Sequence, residues 1–148
     1  MVHNCVGIFC EDIREETSGT HTIIGVMPDN IMLATPANAE AGPGAALIFP
    51  RLGIYLRVNL DPSHKPTGPI TARASIPGLG NQALGELTPA DIEKAYADSA
   101  VHNFPVVGII FKAVMSPVQI REAGIATAFV TIEGQEILAA MLNIQLAK

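Results

Sequence analysis

Ile8-Phe9-Cys10-Glu11-Asp12-Ile13-Arg14-Glu15-Glu16, a Thr17-Ser18-Gly19 break, then Thr20-His21-Thr22-Ile23-Ile24-Gly25-Val26-Met27-Pro28-Asp29-Asn30 form two strand-like runs around a polar turn. Such a pattern predicts a β-hairpin, and it carries the densest group of ionisable side chains in the chain. Period-2 alternation sends Glu11 and Glu15 to one face of it, and Asp12, Arg14 and Glu16 to the other.

Alternation continues downstream. Leu52, Ile54, Leu56, Val58 and Leu60 share one face, opposite Tyr55, Arg57 and Asn59. Ile70, Ala72, Ala74 and Ile76 alternate with Thr71, Arg73 and Ser75. Both read as half-buried strands of an antiparallel sheet with one wet face. Val106–Met115 is apolar on both faces apart from Gly108 and Lys112, which predicts a central strand or one whose outer face meets another subunit. Glu133-Gly134 between Ile125–Ile132 and Glu136–Leu146 signals a second hairpin. In its last strand Leu138, Ala140, Leu142, Ile144 and Leu146 are expected on one side. Thr88 as N-cap, Pro89 at the first position and Asp91 in the first turn start a helix. Its inner stripe is Ile92, Ala95, Tyr96 and Ser99.

Two connections look irregular. Residues 33–50 are rich in Ala, Pro and Gly, and too apolar for a plain solvated linker, so this loop is the expected contact with a protein partner. Asp61–Pro69, with Pro62 and Pro66, reads as an exposed link around His64 and Lys65. Asp29-Asn30 reads as a turn, and His102-Asn103-Phe104-Pro105 as the loop after the helix. The expected fold is mainly β: a single domain over residues 1–148, a two-layer antiparallel β-sandwich, immunoglobulin-like or C2-like, with one short inserted helix near 89–99. The Cys…Trp…Cys core of true immunoglobulin domains is missing, since the chain has no Trp.

A chain of 148 residues can bury a core without staples. Charged residues make up only 16%, against about a quarter in typical soluble domains. The shortage leaves weakly polar faces and points to a homo-oligomer or a component of a larger assembly. Net charge is −5, with an isoelectric point near 5.2. Lys and Arg are scattered singly, so no basic stripe exists for general nucleic-acid binding, although one anionic small molecule could still find a local pocket. The start of the chain does not read as a signal peptide, and the apolar run Phe104–Met115 is too short for a bilayer. These features predict a cytoplasmic protein without membrane association. Cys5 and Cys10, five positions apart, fall on opposite strand faces roughly 16 Å apart and read as two buried free thiols rather than a disulfide.

No strong catalytic motif appears. Glu11, Asp12, Arg14 and Glu15 form the candidate recognition surface at the hairpin. Its plain structural reading is a solvated ribbon with cross-strand ion pairs and Arg14 among its counterions. Its carboxylates could hold a divalent cation, but alternation divides them. His3, Cys5, Cys10 and His21 are ligand types that zinc favours, yet Cys10 falls on the face opposite His3 and Cys5. A nucleophile–base pair from either cysteine with His3, His21, His64 or His102 needs a lowered thiol pKa, and no neighbouring cation or helix N-terminus supplies one. No catalytic residue, metal or cofactor is expected.

Cys10-Glu11-Asp12-Ile13-Arg14-Glu15-Glu16, Gly19, Ile23-Ile24-Gly25-Val26 and Asp29-Asn30 resemble an uncharacterised bacterial and phage family of small proteins. Its members open with a Cys-acidic-Asp-aliphatic-Arg hairpin. Pro50-Arg51-Leu52-Gly53-Ile54-Tyr55 and Thr131-Ile132-Glu133-Gly134-Gln135-Glu136-Ile137 fit the same pattern. The resemblance is good over about the first sixty residues and looser after them. It implies a small β-sandwich in phage or prophage settings, in the host cytoplasm or the virion, and carries no activity. The expected function is a non-enzymatic, self-associating β-sandwich that binds a protein partner, as a phage structural or accessory protein. The alternative is a protein that binds or sequesters an anionic metabolite or nucleotide at a subunit interface through Arg14, Arg57 or Arg73.

Overall fold

Alternating runs dictate strands, and strands with one greasy face must stack. The computed structural model describes residues 3–33 and 47–147. In chain order the elements are β1 (Asn4–Cys10), β2 (Asp12–Glu15), β3 (His21–Ile24), β4 (Asn30–Leu33), β5 (Leu47–Phe49), β6 (Leu52–Leu60), β7 (Ile70–Ile76), β8 (Gly80–Leu87), α1 (Pro89–His102), β9 (Val107–Met115), β10 (Val118–Ile120), β11 (Gly124–Ile132) and β12 (Gln135–Leu146). A three-stranded sheet, β1-β6-β9, packs on a five-stranded sheet, β4-β12-β11-β7-β8. Two short ribbons, β2-β3 and β5-β10, complete the β-sandwich.

The core follows the predicted faces. Leu52, Ile54, Leu56, Val58 and Leu60 of β6 are fully buried. The opposite sheet contributes smaller side chains, Ala72 and Ala74 of β7 and Ala126 and Ala128 of β11. Large residues against small ones let the layers interdigitate. Burying each Leu or Ile contributes about 1.5–3 kcal/mol.

The opening hairpin is shorter than the alternation suggests. Only Asp12↔Ile24 through Glu15↔His21 pair within it. Ile8–Cys10 belongs to β1, which pairs with β6 from Asn4↔Asn59 to Cys10↔Gly53. Glu11 is the pivot, its N–H donating to the carbonyls of Ile24 and Gly25 at 3.0 and 3.1 Å. Asn30 is not a turn residue but the first residue of β4, which runs parallel to β12.

Three further expectations change. β9 is an edge strand of its sheet rather than a central one. Residues 34–46 of the predicted 33–50 loop lie outside the described residues, while Leu47–Phe49 form a strand paired with β10. Between β11 and β12, Ala128 pairs with Ala140 but Phe129 pairs with Leu138, so Ala139 is an extra, bulged residue of β12. A bulge reverses the in/out alternation. Ala140, Leu142 and Ile144 point inward as expected, but Leu138 is thrown to the outer face.

At one side of the sandwich, β1 closes onto β12. Gly7 makes the approach possible. A Cβ there would lie 2.3 Å from Leu56 Cδ2 and 3.3 Å from Ala140 Cβ. The Cys5 thiol donates to the Ile137 carbonyl across the same seam at 3.7 Å. Both cysteines are free, Cys10 buried and Cys5 only half-buried. The β11–β12 turn has Glu133 and Gly134 at φ 49° and 78°, the paired left-handed conformation of a type I′ turn.

α1 begins with a capping box. Thr88 Oγ1 accepts from the Asp91 N–H, and the Asp91 carboxylate accepts from the Thr88 N–H at 2.9 Å. Ile92 and Ser99 are buried. The Tyr96 hydroxyl donates to the carbonyls of Asp61 and His64 at 2.7 and 2.9 Å, fixing the 61–69 connection to the helix. No helix among the described residues is long and apolar enough to cross a membrane.

Candidate functional site

The β2–β3 ribbon lies over the outer face of the three-stranded sheet, and the shortest ion pairs to its carboxylates come from outside the ribbon. Arg51 donates to Asp12 Oδ2 at 2.7 Å, while the more exposed Arg14 stands 3.8 Å from the same oxygen. Lys112 of β9 pairs with Glu15 and donates to His21 Nε2 at 3.0 Å. The His21 ring meets Tyr55 edge-on. Lys112 holds the Glu15 carboxyl below its ordinary range. Asp12 and Glu15 therefore face opposite ways, as alternation requires, but the ion pairs join the ribbon to β9 and to Arg51 rather than crossing it. Exposed pairs of this kind add little stability. Glu11 lines a shallow hollow of about 370 Å³ with Asp12, Arg14, Phe49 and Arg51.

Arg57 and Arg73 stand elsewhere. Arg57 Nε donates to Asn59 at 3.3 Å. Arg73 pairs with Glu136, donates to Asn81 at 3.0 Å and lies 4.6 Å over the Phe129 ring. Arg14, Arg57 and Arg73 sit on three different sheets, so a single chain does not gather them round one anion.

The bulge in β12 creates a surface that alternation could not reveal. Leu138 joins Met141 and Ile125 on the outer face, where they are 45%, 55% and 59% exposed. They border a groove of about 490 Å³ whose lining includes Gly7, Ala139 and Ala140. Its polar rim is ordered. Asn143 donates from Nδ2 to Asn30 Oδ1 at 2.9 Å and from its backbone to the Asp29 carbonyl at 2.8 Å.

The four zinc-type residues of the N-terminal region part company. The Cys10 sulfur fills the space that a Cβ would take at Gly53 of β6, His21 is held by Lys112, and Cys5 bonds a backbone carbonyl. Burial raises both thiol pKa values, the opposite of what a nucleophile needs. His3 instead meets His64 and Glu133, residues that the sequence places far apart. His64 Nε2 lies 3.0 Å from Glu133 Oε2. That hydrogen bond and one from the Thr67 N–H hold the Glu133 carboxyl below its ordinary range. Burial, with Asp61 and Glu133 nearby, pushes Tyr96 up to about 12, so its hydroxyl remains a donor.

The sequence matches no protein-family model and no curated protein.

Proposed function

We propose that the protein is a non-enzymatic, self-associating β-sandwich that binds a protein partner, a structural or accessory protein of the phage kind that its N-terminal hairpin resembles. The observation that carries this reading is the outer face of β11–β12, where Ile125, Leu138 and Met141 are exposed together around an open groove. Contiguous exposed apolar side chains rimmed by polar ones favour contact with another protein. Low charge content acts in the same direction, because few ionic groups need to stay wet when the face is covered. The occupant is a second copy of the chain.

Sedimentation velocity over a range of concentrations tests the reading. Wild type sediments as a closed oligomer, and Met141→Lys shifts it towards monomer without changing the far-ultraviolet circular dichroism. A monodisperse monomer at every concentration, with no partner retained in pull-downs, refutes it. Extra mass of a few hundred daltons in a native mass spectrum would favour a small-molecule binder instead.

A further inference from the structure

Three segments distant in sequence meet at one end of the sandwich: the residue before β1, the 61–69 connection and the β11–β12 turn. They bring together His3, His64 and Glu133, with one ligand atom from each lying within 4.8 Å of the others. The His3 and His64 rings are 5.3 Å apart, centroid to centroid. From this geometry we propose that His3, His64 and Glu133 bind a divalent transition metal of the zinc class.

The donor set selects the metal. Two imidazoles and one carboxylate suit zinc and its neighbours, whereas calcium and magnesium prefer oxygen ligands throughout. Ligand atoms about 2.1 Å from a tetrahedral ion stand roughly 3.4 Å apart. The His64–Glu133 separation of 3.0 Å is already near that value. Binding must draw His3 inward, and three protein ligands leave the fourth position open to water.

His3 supplies an independent reason. Its Nδ1 accepts the Asp61 N–H at 3.1 Å, which puts the neutral ring's proton on Nε2. That Nε2 is buried and has no hydrogen-bond partner among the described residues. A buried polar atom left unpaired calls for a missing partner, and a metal is one that this cluster could hold. Coordination through Nε2 moves the ring proton to Nδ1, and coordination through Nδ1 uses its lone pair. Either way His3 gives up the Asp61 N–H, so the Asp61 amide reports on the event. At His64, coordination through Nε2 uses that nitrogen's lone pair, so in the bound state the ring proton stands on Nδ1.

The surroundings hold the ligands in place. The Thr67 N–H donates to Glu133 Oε1 at 3.3 Å, leaving Oε2 for the ion. Tyr96 anchors the backbone of His64. Supporting hydrogen bonds of this kind orient metal ligands.

Untagged, chelator-stripped protein with its native N-terminus is titrated with zinc, by calorimetry and by amide NMR. One ion binds per chain, Tm rises, and the Asp61 amide signal moves. His3→Gln, His64→Gln and Glu133→Gln each weaken binding by about tenfold or more, whereas His21→Gln and His102→Gln leave it unchanged. Absence of saturable uptake overturns the proposal. So does uptake lost in the His21 or His102 variants but kept in the three site variants. If a site variant fails to fold, cobalt added to the wild type decides: intense four-coordinate visible bands support the site, and weak octahedral bands alone refute it.

Discussion

Gly7→Ala is the sharpest test of how the sandwich closes. The new methyl group would sit 2.3 Å from Leu56 Cδ2, 3.2 Å from the Tyr55 carbonyl oxygen and 3.3 Å from Ala140 Cβ. Carbon atoms prefer about 3.5–4.0 Å, so the first contact is too short by more than about 1 Å. Leu56 is fully buried and cannot swing into solvent. Overpacking of this sort costs about 1–3 kcal/mol, offset by about 0.4–1 kcal/mol from the stiffer unfolded chain. Leu56→Ala alone opens a cavity and costs about 2–5 kcal/mol. In the double variant the methyl group added at position 7 occupies space that Leu56 vacates, so the combined loss falls short of the sum by about 1 kcal/mol or more. Urea denaturation of all four proteins, with a constant m value, measures the cycle. Additivity within about 0.5 kcal/mol would mean that the two residues do not touch, and the packing of β1 described above would be wrong.

Thr88→Ala removes the side-chain half of the capping box and should cost about 1 kcal/mol, read from the urea midpoint. Tyr96→Phe removes the hydroxyl that donates to the Asp61 and His64 carbonyls; a loss of about 0.5–1.5 kcal/mol is expected, together with faster amide exchange in residues 61–69. Asp91 and Glu15 are both held below their ordinary values of 3.8 and 4.5. Their stabilisation is complete above those values and is lost as pH falls through the lower folded values. Stability measured from about pH 6 to about pH 2 should therefore decline on the acid side, and Lys112→Met should flatten that limb; an unchanged limb would refute the Glu15–Lys112 pairing.

The inward faces of β6 and β7, the Glu133-Gly134 turn and the cap at Thr88 were legible because each is written within a few consecutive residues. The binding residues named from the opening hairpin were legible as a charged cluster, but not as a site. Their partners, Arg51 and Lys112, come from outside the hairpin. Arg57 and Arg73 fell on the outward strand faces, as alternation required, yet nothing local said that the two faces belong to different sheets.

Alternation tells which side of a strand is dry; it does not tell which strand lies beside it. The sequence by itself therefore determined a β-rich domain with these inward faces and one capped helix. Only the tertiary structure decided that β1 leaves the hairpin for β6, that β4 runs parallel to β12 and that β9 is an edge. It also decided that an extra residue in β12 turns Leu138 outward, and that His3 meets His64 and Glu133. The physical reason is common to all of these. Long-range pairing is chosen by how whole sheets share one core, and a single inserted residue reverses every side chain beyond it.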